Sequence, residues 1–378
     1  MSIALNEIYK IRKNMCLSID KNNTNRYTIV VNETNGTKTA YCFSTPIYSE
    51  KTRRLLDFKF NATKTGIHSI GSNCDIYVQK DAIVMQNPHG KLSLASETLS
   101  GSIKQENGKL ICGDVEITPT LNGVLFKTKR IETGFTISMQ TDNEFLTPWE
   151  NNKCFALMRD EFTPFVSLSA IGVSDSHGEI CAPALVSSEK CSGNKYKVTI
   201  KPTASVGKYV FFEANLYEEK LFQDTTVESK NPLAHNAYGG IAFLGNSETF
   251  GEKWLYTRPD ISKIPALTEK RVKRVRLLLP IHGRQNLMLN AHQVTLRFCS
   301  FGSSWENKVS YTQLSEISKA AGNYNIVDIS KFLIQPQSNS LMQTDGIIIR
   351  PYQRGDGFCA VSTGDSYYRP QILEVNYS

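Results

Sequence analysis

The residue types that could catalyse a reaction are scattered along this chain and form no recognisable motif. Its six histidines occur without an HxH or HExxH pattern, so the closely spaced ligands that zinc requires are missing. There is also no G-x-S-x-G turn, no cysteine–histidine signature and no glycine-rich phosphate loop. We therefore predict no catalytic residue, no metal site and no cofactor, and we expect that the protein is not an enzyme.

Aromatic side chains offer one candidate binding surface. Trp254, Tyr256 and Trp305 could form a platform on which sugar rings stack, and Tyr311 could extend it. We name the first three as candidate ligand-binding residues. The alternative is that these rings pack in a hydrophobic core, which is the commoner fate of large aromatic side chains.

Charged side chains offer two further candidates. Five positive charges fall within 270–276 and could contact a polyanion, but strict alternation would mix charged and apolar residues on both faces. We interpret this segment as a solvated edge strand that its charges protect from aggregation. Arg354-Gly355-Asp356 matches a cell-adhesion tripeptide, and we interpret it as a turn.

An acid followed by Ile-Ser occurs at Asp260 and again at Asp328, and we interpret both acids as turn residues at strand ends.

Length and composition indicate an ordinary globular protein with more than one domain. The chain has 378 residues, 40% hydrophobic and 21% charged, which is long for a single hydrophobic core. Its net charge of +7 permits weak attraction to anionic glycans, cell walls or nucleic acid without requiring any of them. We expect no nucleic-acid partner.

The beginning of the sequence and the cysteines bear on location. The first 20 residues lack the apolar core of a secretory signal peptide, and no window approaches the ~18 apolar residues of a membrane span. We expect synthesis in the cytoplasm without a signal peptide, and no membrane insertion. The nine cysteines are odd in number, widely spaced and without a CxxC pair, so we predict mostly free, buried thiols.

Short runs of alternating apolar and polar residues dominate the chain. Between residues 26 and 129 they predict eight or more strands, and three more close the sequence at 347–349, 358–361 and 372–377. A final strand of this kind is expected to pair with an earlier one. The stretch QLSEISKAA (313–321) is the one good helical window.

These patterns predict an all-β protein. We expect two antiparallel β-sandwich domains of jelly-roll type that are joined by a small β connector. The predicted boundaries are an N-terminal sandwich at 1–148, the connector at 149–219 and a second sandwich at 220–378.

Several short motifs in the second half occur in a familiar order and spacing over about 155 residues. They are DTTVES (224–229), NAYGG (236–240), WLYTRPDISKIP (254–265), VDIS (327–330), STGDS (362–366) and RPQILEVNY (369–377). Together they resemble the DNRLRE-type domains, β-sandwich modules of large bacterial surface proteins that are related to carbohydrate-binding modules. Pro259 departs from the pattern, since an aromatic residue is expected before the Asp-Leu-Ser of that family.

The resemblance has further implications. Related sandwiches can carry a structural calcium ion, for which Asp224, Asn236 and Asp365 offer hard oxygen atoms, although we do not predict the site. More loosely, residues 43–60, 70–73 and 86–94 resemble the large β-sandwich leader that precedes such domains in some bacterial proteins.

Taken together, the sequence predicts a non-enzymatic structural or attachment protein. We expect it in a bacterial or bacteriophage extracellular assembly, as a component of a virion, tail or surface particle, with other subunits as partners and a homo-oligomeric state. The alternative is a carbohydrate-binding surface module that contacts a cell-surface glycan. A carbohydrate-active enzyme comes third, because it needs two carboxylates facing each other across a cleft and nothing in the sequence indicates such a pair.

Overall fold

The structure is a computed structural model with two compact units. It describes residues 3–13, 16–49, 54–99, 103–129, 132–204, 207–234, 236–283, 287–300, 302–353, 355, 357–367 and 369–378. Unit 1 consists of Met1–Leu56 and Glu219–Ser378, and unit 2 consists of Asp57–Glu218. Unit 2 is therefore inserted into the chain of unit 1.

The elements are almost all strands, as predicted for an all-β protein. The first segment of unit 1 contains α1 (Ile3–Ile11), β1 (Thr28–Asn32), β2 (Lys38–Phe43), β3 (Tyr48–Ser49) and β4 (Arg54–Leu55). Unit 2 contains β5 (Lys59–Thr63), β6 (Gly66–Ile70), β7 (Asp75–Gln79), β8 (Ala82–Asn87), β9 (Gly90–Ala95), a 3₁₀ turn (Glu97–Leu99), β10 (Lys104–Glu106), β11 (Lys109–Cys112), β12 (Val115–Pro119), β13 (Gly123–Thr128), β14 (Phe135–Thr141), β15 (Thr147–Asn151), β16 (Cys154–Met158), β17 (Pro164–Ser174), β18 (Ile180–Ala182), β19 (Ala184–Lys190), β20 (Lys195–Pro202) and β21 (Tyr209–Leu216).

The second segment of unit 1 completes the chain. It contains β22 (Phe222–Glu228), β23 (Ile241–Ser247), β24 (Gly251–Pro259), a 3₁₀ turn (Ile261–Lys263), α2 (Pro265–Thr268), β25 (Val272–Pro280), β26 (Leu289–Val294), β27 (Tyr311–Ile317), β28 (Lys319–Ala321), β29 (Tyr324–Asp328), α3 (Ser330–Leu333), β30 (Ile347–Pro351), β31 (Gly357–Ser362) and β32 (Ile372–Tyr377). The three closing strands predicted from the sequence are thus confirmed. None of the helices in the described ranges is long and apolar enough to cross a membrane.

Unit 2 is a β-sandwich of two antiparallel sheets. Sheet C has the strand order β19-β20-β14-β9-β8-β7-β6-β5, and sheet D has the order β10-β11-β12-β13-β21-β17-β16-β15 with β18 paired to β17. Strand alternation explains why the sheets face each other: in β20, Tyr196, Val198 and Ile200 are buried, while Lys195, Lys197 and Lys201 are exposed. The buried faces of both sheets share one hydrophobic core, in which Phe126 stacks on Phe212 with ring centroids 4.6 Å apart.

Unit 1 is a second β-sandwich. Sheet A has the strand order β1-β2-β32-β25-β29-β28, and sheet B has the order β27-β26-β30-β24-β23-β31 with β22 paired to β24. The inner faces of the two sheets share a core. The outer face of sheet A is covered by α1, whose Ala4 and Ile8 pack against Tyr41, Leu278 and Ile372. The outer face of sheet B is covered by the segment between β26 and β27.

The structure departs from the predicted domain boundaries at 1–148, 149–219 and 220–378. Residues 38–43 do not belong to a separate N-terminal sandwich, because β2 pairs with β32 from Lys38 opposite Tyr377 to Phe43 opposite Ile372. The predicted connector is not a separate domain either, since its strands β16, β17 and β21 are hydrogen-bonded within sheet D. Pairing between strands that are distant in sequence sets these boundaries, and local composition does not report it.

One secondary-structure prediction is wrong, and the longest helix, α1, was not predicted. Residues 313–321 do not form a helix; they belong to β27 and β28, which pair with β26 and β29. Strand pairing at two sheet edges here overrides the weak helical pattern. Helix α1, at the beginning of the chain, was not predicted, although the spacing of Ala4, Ile8 and Ile11 is a helical signal.

Candidate functional site

The three predicted ligand-binding residues lie on the outer face of sheet B. Trp254 and Tyr256 belong to β24, and Trp305 lies in the segment between β26 and β27. The ring centroids of Trp254 and Trp305 are 4.9 Å apart, whereas Tyr256 packs against Phe298 at 5.6 Å. The structure thus brings two of the predicted residues together and places the third against a different ring.

Burial leaves little of these rings open to a ligand. Trp254 is 7% exposed and Tyr256 is 0% exposed, while Trp305 is half-buried. Burial raises the pKa of the Tyr256 hydroxyl, which donates a hydrogen bond to the carbonyl of Val309 at 3.4 Å. Tyr256 and Trp254 therefore match the core-packing alternative, and only Trp305 retains an appreciable accessible surface.

Cations already lie against the aromatic faces. The Lys308 ammonium is 3.8 Å from the centroid of Trp305 and 5.4 Å from that of Trp254. The Arg350 guanidinium lies 5.9 Å from Trp254 and 5.3 Å from Tyr311. Such cation–π contacts are worth about 0.5–1 kcal/mol at exposed sites and more when they are desolvated. These contacts therefore hold the segment between β26 and β27 against sheet B.

The two acids that precede Ile-Ser are turn residues, as predicted. Oδ1 of Asp260 accepts hydrogen bonds from the backbone N–H and hydroxyl of Ser262 at 3.2 and 2.6 Å. Oδ1 of Asp328 accepts the equivalent pair from Ser330 at 3.0 and 2.6 Å. Both carboxylates are committed to local backbone geometry at a strand end.

Two of the three residues considered for calcium meet in a cluster that also contains a lysine. The Lys220 ammonium forms an ion pair with Oδ1 of Asp365, and the Asp224 carboxyl lies beside Asp365. We call Lys220, Asp224 and Asp365 the Lys220 cluster. Asn236 is not part of it, since its amide donates to the Thr226 carbonyl at 3.0 Å. Lys220 thus supplies the positive charge beside these carboxylates, whereas the resemblance suggested a calcium ion in that role.

The Lys220 cluster is almost completely buried. The side chains of Lys220 and Asp365 are 9% and 12% exposed, and Asp224 is 5% exposed. Burial and the neighbouring Asp365 charge raise the pKa of Asp224 well above its ordinary value, against the opposing effect of Lys220. Burial alone would lower the pKa of Lys220, but Asp365 and Tyr367 outweigh it and the pKa is raised. The cluster therefore holds one charged pair and one carboxyl that favours its protonated form.

The basic segment 270–276 is not an edge strand, contrary to the prediction. Its strand β25 lies inside sheet A, between β32 and β29. The register with β32 shifts between Val272 and Arg274, which leaves Lys273 as a bulged residue. The bulge separates the two kinds of side chain: Val272 and Val275 point into the core, while Arg274 and Arg276 face Glu374 outside.

A polar cavity lies above this outer face. It has a volume of about 570 Å³, and four cationic and two anionic side chains line it, which leaves two positive charges in excess. We call it the basic cavity. Its lining residues are Arg12, Glu33, Thr34, Asn35, Thr37, Thr39, Tyr41, Lys273, Arg274, Arg276, Glu374 and Asn376.

Both acids of the basic cavity are already paired. Glu33 accepts two hydrogen bonds from Arg12, each of 2.7 Å, and these hold the pKa of Glu33 below its usual range. Glu374 accepts two from Arg276, at 2.7 and 2.8 Å, and lies 3.8 Å from Arg274. Within the described ranges Lys273 is exposed and forms no ion pair, and the Arg274 side chain is 50% exposed. The positive charge of the cavity that is not neutralised by an acid is thus concentrated on β25, at the bulge.

A buried network at α1 was not found from the sequence. Oε2 of Glu7 accepts a hydrogen bond from the Tyr324 hydroxyl and another from Arg369 at 3.1 Å. Arg369 also donates to the carbonyl of Ile281 at 2.9 Å, next to the buried His282, whose ring is 2.7 Å from the Ser362 hydroxyl. These partners are far apart in sequence, so no local pattern connects them.

One predicted feature falls outside the described residues: Arg354 and Asp356 of the adhesion-like tripeptide are not among them. Among the described residues no three His, Cys, Asp or Glu side chains are grouped so as to hold a metal ion.

Comparison with known proteins assigns this chain to no family. No family model matches this chain, and no curated protein matches it by sequence. The resemblance to DNRLRE-type domains therefore stays a prediction.

Proposed function

We propose that this protein is a non-enzymatic structural or attachment component of a bacterial or bacteriophage extracellular assembly, such as a virion, tail or surface particle. In this proposal it acts after incorporation into the particle. Its partners are further subunits, first of all copies of itself. The resemblance of 220–378 to bacterial surface modules of DNRLRE type supports the same proposal.

One edge of unit 1 carries the argument for self-association. β27 ends the strand order of sheet B and β28 ends that of sheet A, and Ser318 alone separates them in sequence. Leu314 and Ile317 on β27 are 44% and 43% exposed, and all of β28 is exposed. Edge strands with accessible apolar side chains are templates for pairing with another chain. The adjoining edges of two sheets therefore offer one continuous surface for a second copy.

The native mass of the protein tests this proposal. We expect the wild-type chain to form an oligomer in light scattering, and the double variant Leu314→Lys, Ile317→Lys to have the mass of one chain. Leu233→Lys is the matched control, because Leu233 is 67% exposed and lies outside this edge. A wild-type mass of one chain at every concentration would contradict the proposal, as would an oligomer that the double variant leaves intact.

The basic cavity favours a second candidate, attachment to an anionic glycan. Its excess charge suits sulfate or carboxylate groups, and its threonine and asparagine side chains suit sugar hydroxyls. This differs from the predicted aromatic platform, because the contacts are polar.

Binding of a sulfated polysaccharide, compared with a neutral polysaccharide of equal length, tests the second candidate. We expect salt-sensitive binding of the sulfated probe alone, weakened about tenfold by Lys273→Ala with Arg274→Ala. Lys195→Ala with Lys197→Ala removes the same charge from exposed positions on β20 and serves as the control. Equal loss in both variants would show that only net charge matters.

A further inference from the structure

The Lys220 cluster brings an amine and a carboxyl into direct contact inside unit 1. Lys220 lies just before β22, and Asp365 follows β31, 145 positions along the chain. The Lys220 ammonium donates a hydrogen bond to Oδ1 of Asp365, and its ammonium nitrogen lies 4.9 Å from the centroid of the Tyr367 ring. The side chains of both residues are about nine-tenths buried, which excludes most water from the pair.

A second carboxyl completes the arrangement. The side chain of Asp224 lies within hydrogen-bonding reach of Asp365. Its Oδ2 is buried, and a proton on this oxygen would make it a donor toward Asp365. Gly364 makes this approach feasible, because a Cβ at that position would lie 2.3 Å from the same oxygen.

We propose that Lys220 and Asp365 become joined by an intramolecular amide bond between the lysine Nζ and the aspartate Cγ, with Asp224 as the acid–base catalyst. Proximity removes much of the activation barrier to such a step, because two buried groups held in contact react as one molecule. A carboxyl that stays protonated beside the reacting carbonyl lowers the barrier further by general acid catalysis.

The step balances without any other reactant. A proton passes from the Lys220 ammonium to the Asp365 carboxylate, which gives a neutral amine and a neutral acid. The Nζ lone pair attacks Cγ while Asp224 donates a proton to the carbonyl oxygen. Nζ then returns a proton to Asp224, the C–O bond breaks, and the oxygen leaves as water. The net change is one N–C bond formed, one C–O bond broken and one water molecule released.

A second buried pair in the same unit shows why the third group matters. Lys253 and Glu228 are both 0% exposed, with Nζ 3.1 Å from Oε2. Here the other carboxylate oxygen accepts a hydrogen bond from the Asn231 amide at 2.7 Å. An amide cannot pass a proton as a carboxyl does. We expect this pair to remain an ion pair, and it serves as an internal control.

The bond would fasten the start of β22 to the segment after β31. Among the nine cysteines, all within the described part of the chain, no disulfide supplies such a cross-link. A covalent tie between distant segments restricts the unfolded chain and keeps the two segments together under load. This inference is independent of self-association, because its readout is the mass of a single chain.

Intact mass under denaturing conditions tests the inference on the full chain. We expect the folded wild type to be lighter than its sequence by one water molecule, and digestion to yield one peptide pair joined through Lys220 and Asp365. Asp365→Ala and Lys220→Arg should have their full sequence masses. Lys220→Arg keeps the positive charge, so it separates loss of the bond from loss of the ion pair.

Two further variants make the test specific. Asp365→Asn should release ammonia instead of water and therefore reach the same final mass as the wild type. Asp224→Asn should fold but keep its full mass, which circular dichroism and mass spectrometry establish together. A folded wild type that keeps its full sequence mass after prolonged incubation would overturn the proposal. A bond that forms equally well in Asp224→Asn would remove the catalytic role from Asp224.

Discussion

Arg369 donates a hydrogen bond of 3.1 Å to Oε2 of Glu7, a residue 362 positions earlier in the chain. This pair fastens helix α1 to the outer face of sheet A, and Tyr324 donates to the same carboxylate oxygen. The side chains of Glu7 and Arg369 are 4% and 13% exposed, so each charge depends on the other for its solvation.

Replacing Glu7 by Ala should destabilise unit 1 by about 3–5 kcal/mol, because the buried guanidinium of Arg369 then lacks its partner. Tryptophan emission during urea unfolding measures this, in a Trp149→Phe background that leaves only the tryptophans of unit 1. Replacing Lys10, the half-exposed partner of Glu7, should cost less than about 1 kcal/mol. Equal costs at both positions would contradict the buried network.

The same carboxylate should make unit 1 sensitive to acid. Burial opposes ionisation of Glu7, but Arg369, Lys10 and Tyr324 outweigh it and lower its pKa below the ordinary value of 4.5. The folded state therefore binds this proton less readily than the unfolded state. Its stabilising contribution is present above about pH 4.5 and is lost as the pH falls through the lower folded pKa. Urea unfolding at a series of pH values should show this loss in the wild type and a weaker loss in Glu7→Gln.

His282 should produce a second pH dependence, in a higher range. Its ring is buried, and burial first and then the Arg369 charge hold the pKa of His282 well below 6.5. The unfolded state therefore takes up a proton that the folded state refuses, and stability falls as the pH drops below about 6.5, by up to ~1.4 kcal/mol per pH unit. The difference in unfolding free energy between pH 7 and pH ~5.5 should shrink in His282→Asn and persist in His89→Asn, since His89 is exposed. Equal slopes in all three proteins would count against a buried neutral imidazole.

The core of unit 2 should depend on Phe212 far more than on an exposed ring. Phe212 is 0% exposed and lies between Phe126 and Phe135, at centroid distances of 4.6 and 5.1 Å. Phe212→Ala should cost about 3–5 kcal/mol because it opens a cavity between the sheets. Phe145 is 84% exposed, and Phe145→Ala should change the unfolding free energy by less than about 0.5 kcal/mol. A thermal or urea unfolding curve compares the two directly.

The cysteines should divide into two reactivity classes. Cys42, Cys74, Cys112, Cys154 and Cys359 are buried, and Cys16, Cys181, Cys191 and Cys299 are exposed. Burial raises the pKa of the Cys42, Cys74 and Cys359 thiols to about 12, so they hold almost no reactive thiolate at neutral pH. Alkylation of the native protein should modify the four exposed residues, and all nine should react in denaturant. Rapid native labelling of Cys42 would contradict its placement in the core.

The sequence was a good guide to features that neighbouring residues determine. The predicted closing strand at 372–377 coincides with β32, because alternation acts within six residues. The acids Asp260 and Asp328 were recognised as turn residues for the same reason. All-β character follows from many such local patterns.

Features that depend on distant partners were not accessible in this way. The strand beside β2 is β32, and nothing in either strand specifies the other. The bulge at Lys273 reverses the faces expected from strict alternation, so the charged face of β25 was not found. Lys220 lies in an ordinary charged stretch, and only folding places it beside Asp365.

The pairing of β2 with β32 also fixes an order of events during synthesis. All the strands of unit 2 precede residue 219, whereas β2 must wait for a partner that begins at Ile372. A ribosome therefore delivers a complete unit 2 while β1, β2 and α1 are still without most of sheet A. A nascent chain stopped near residue 260 should contain a protease-resistant unit 2 beside a cleavable first segment, and unit 1 should close only after β32 emerges.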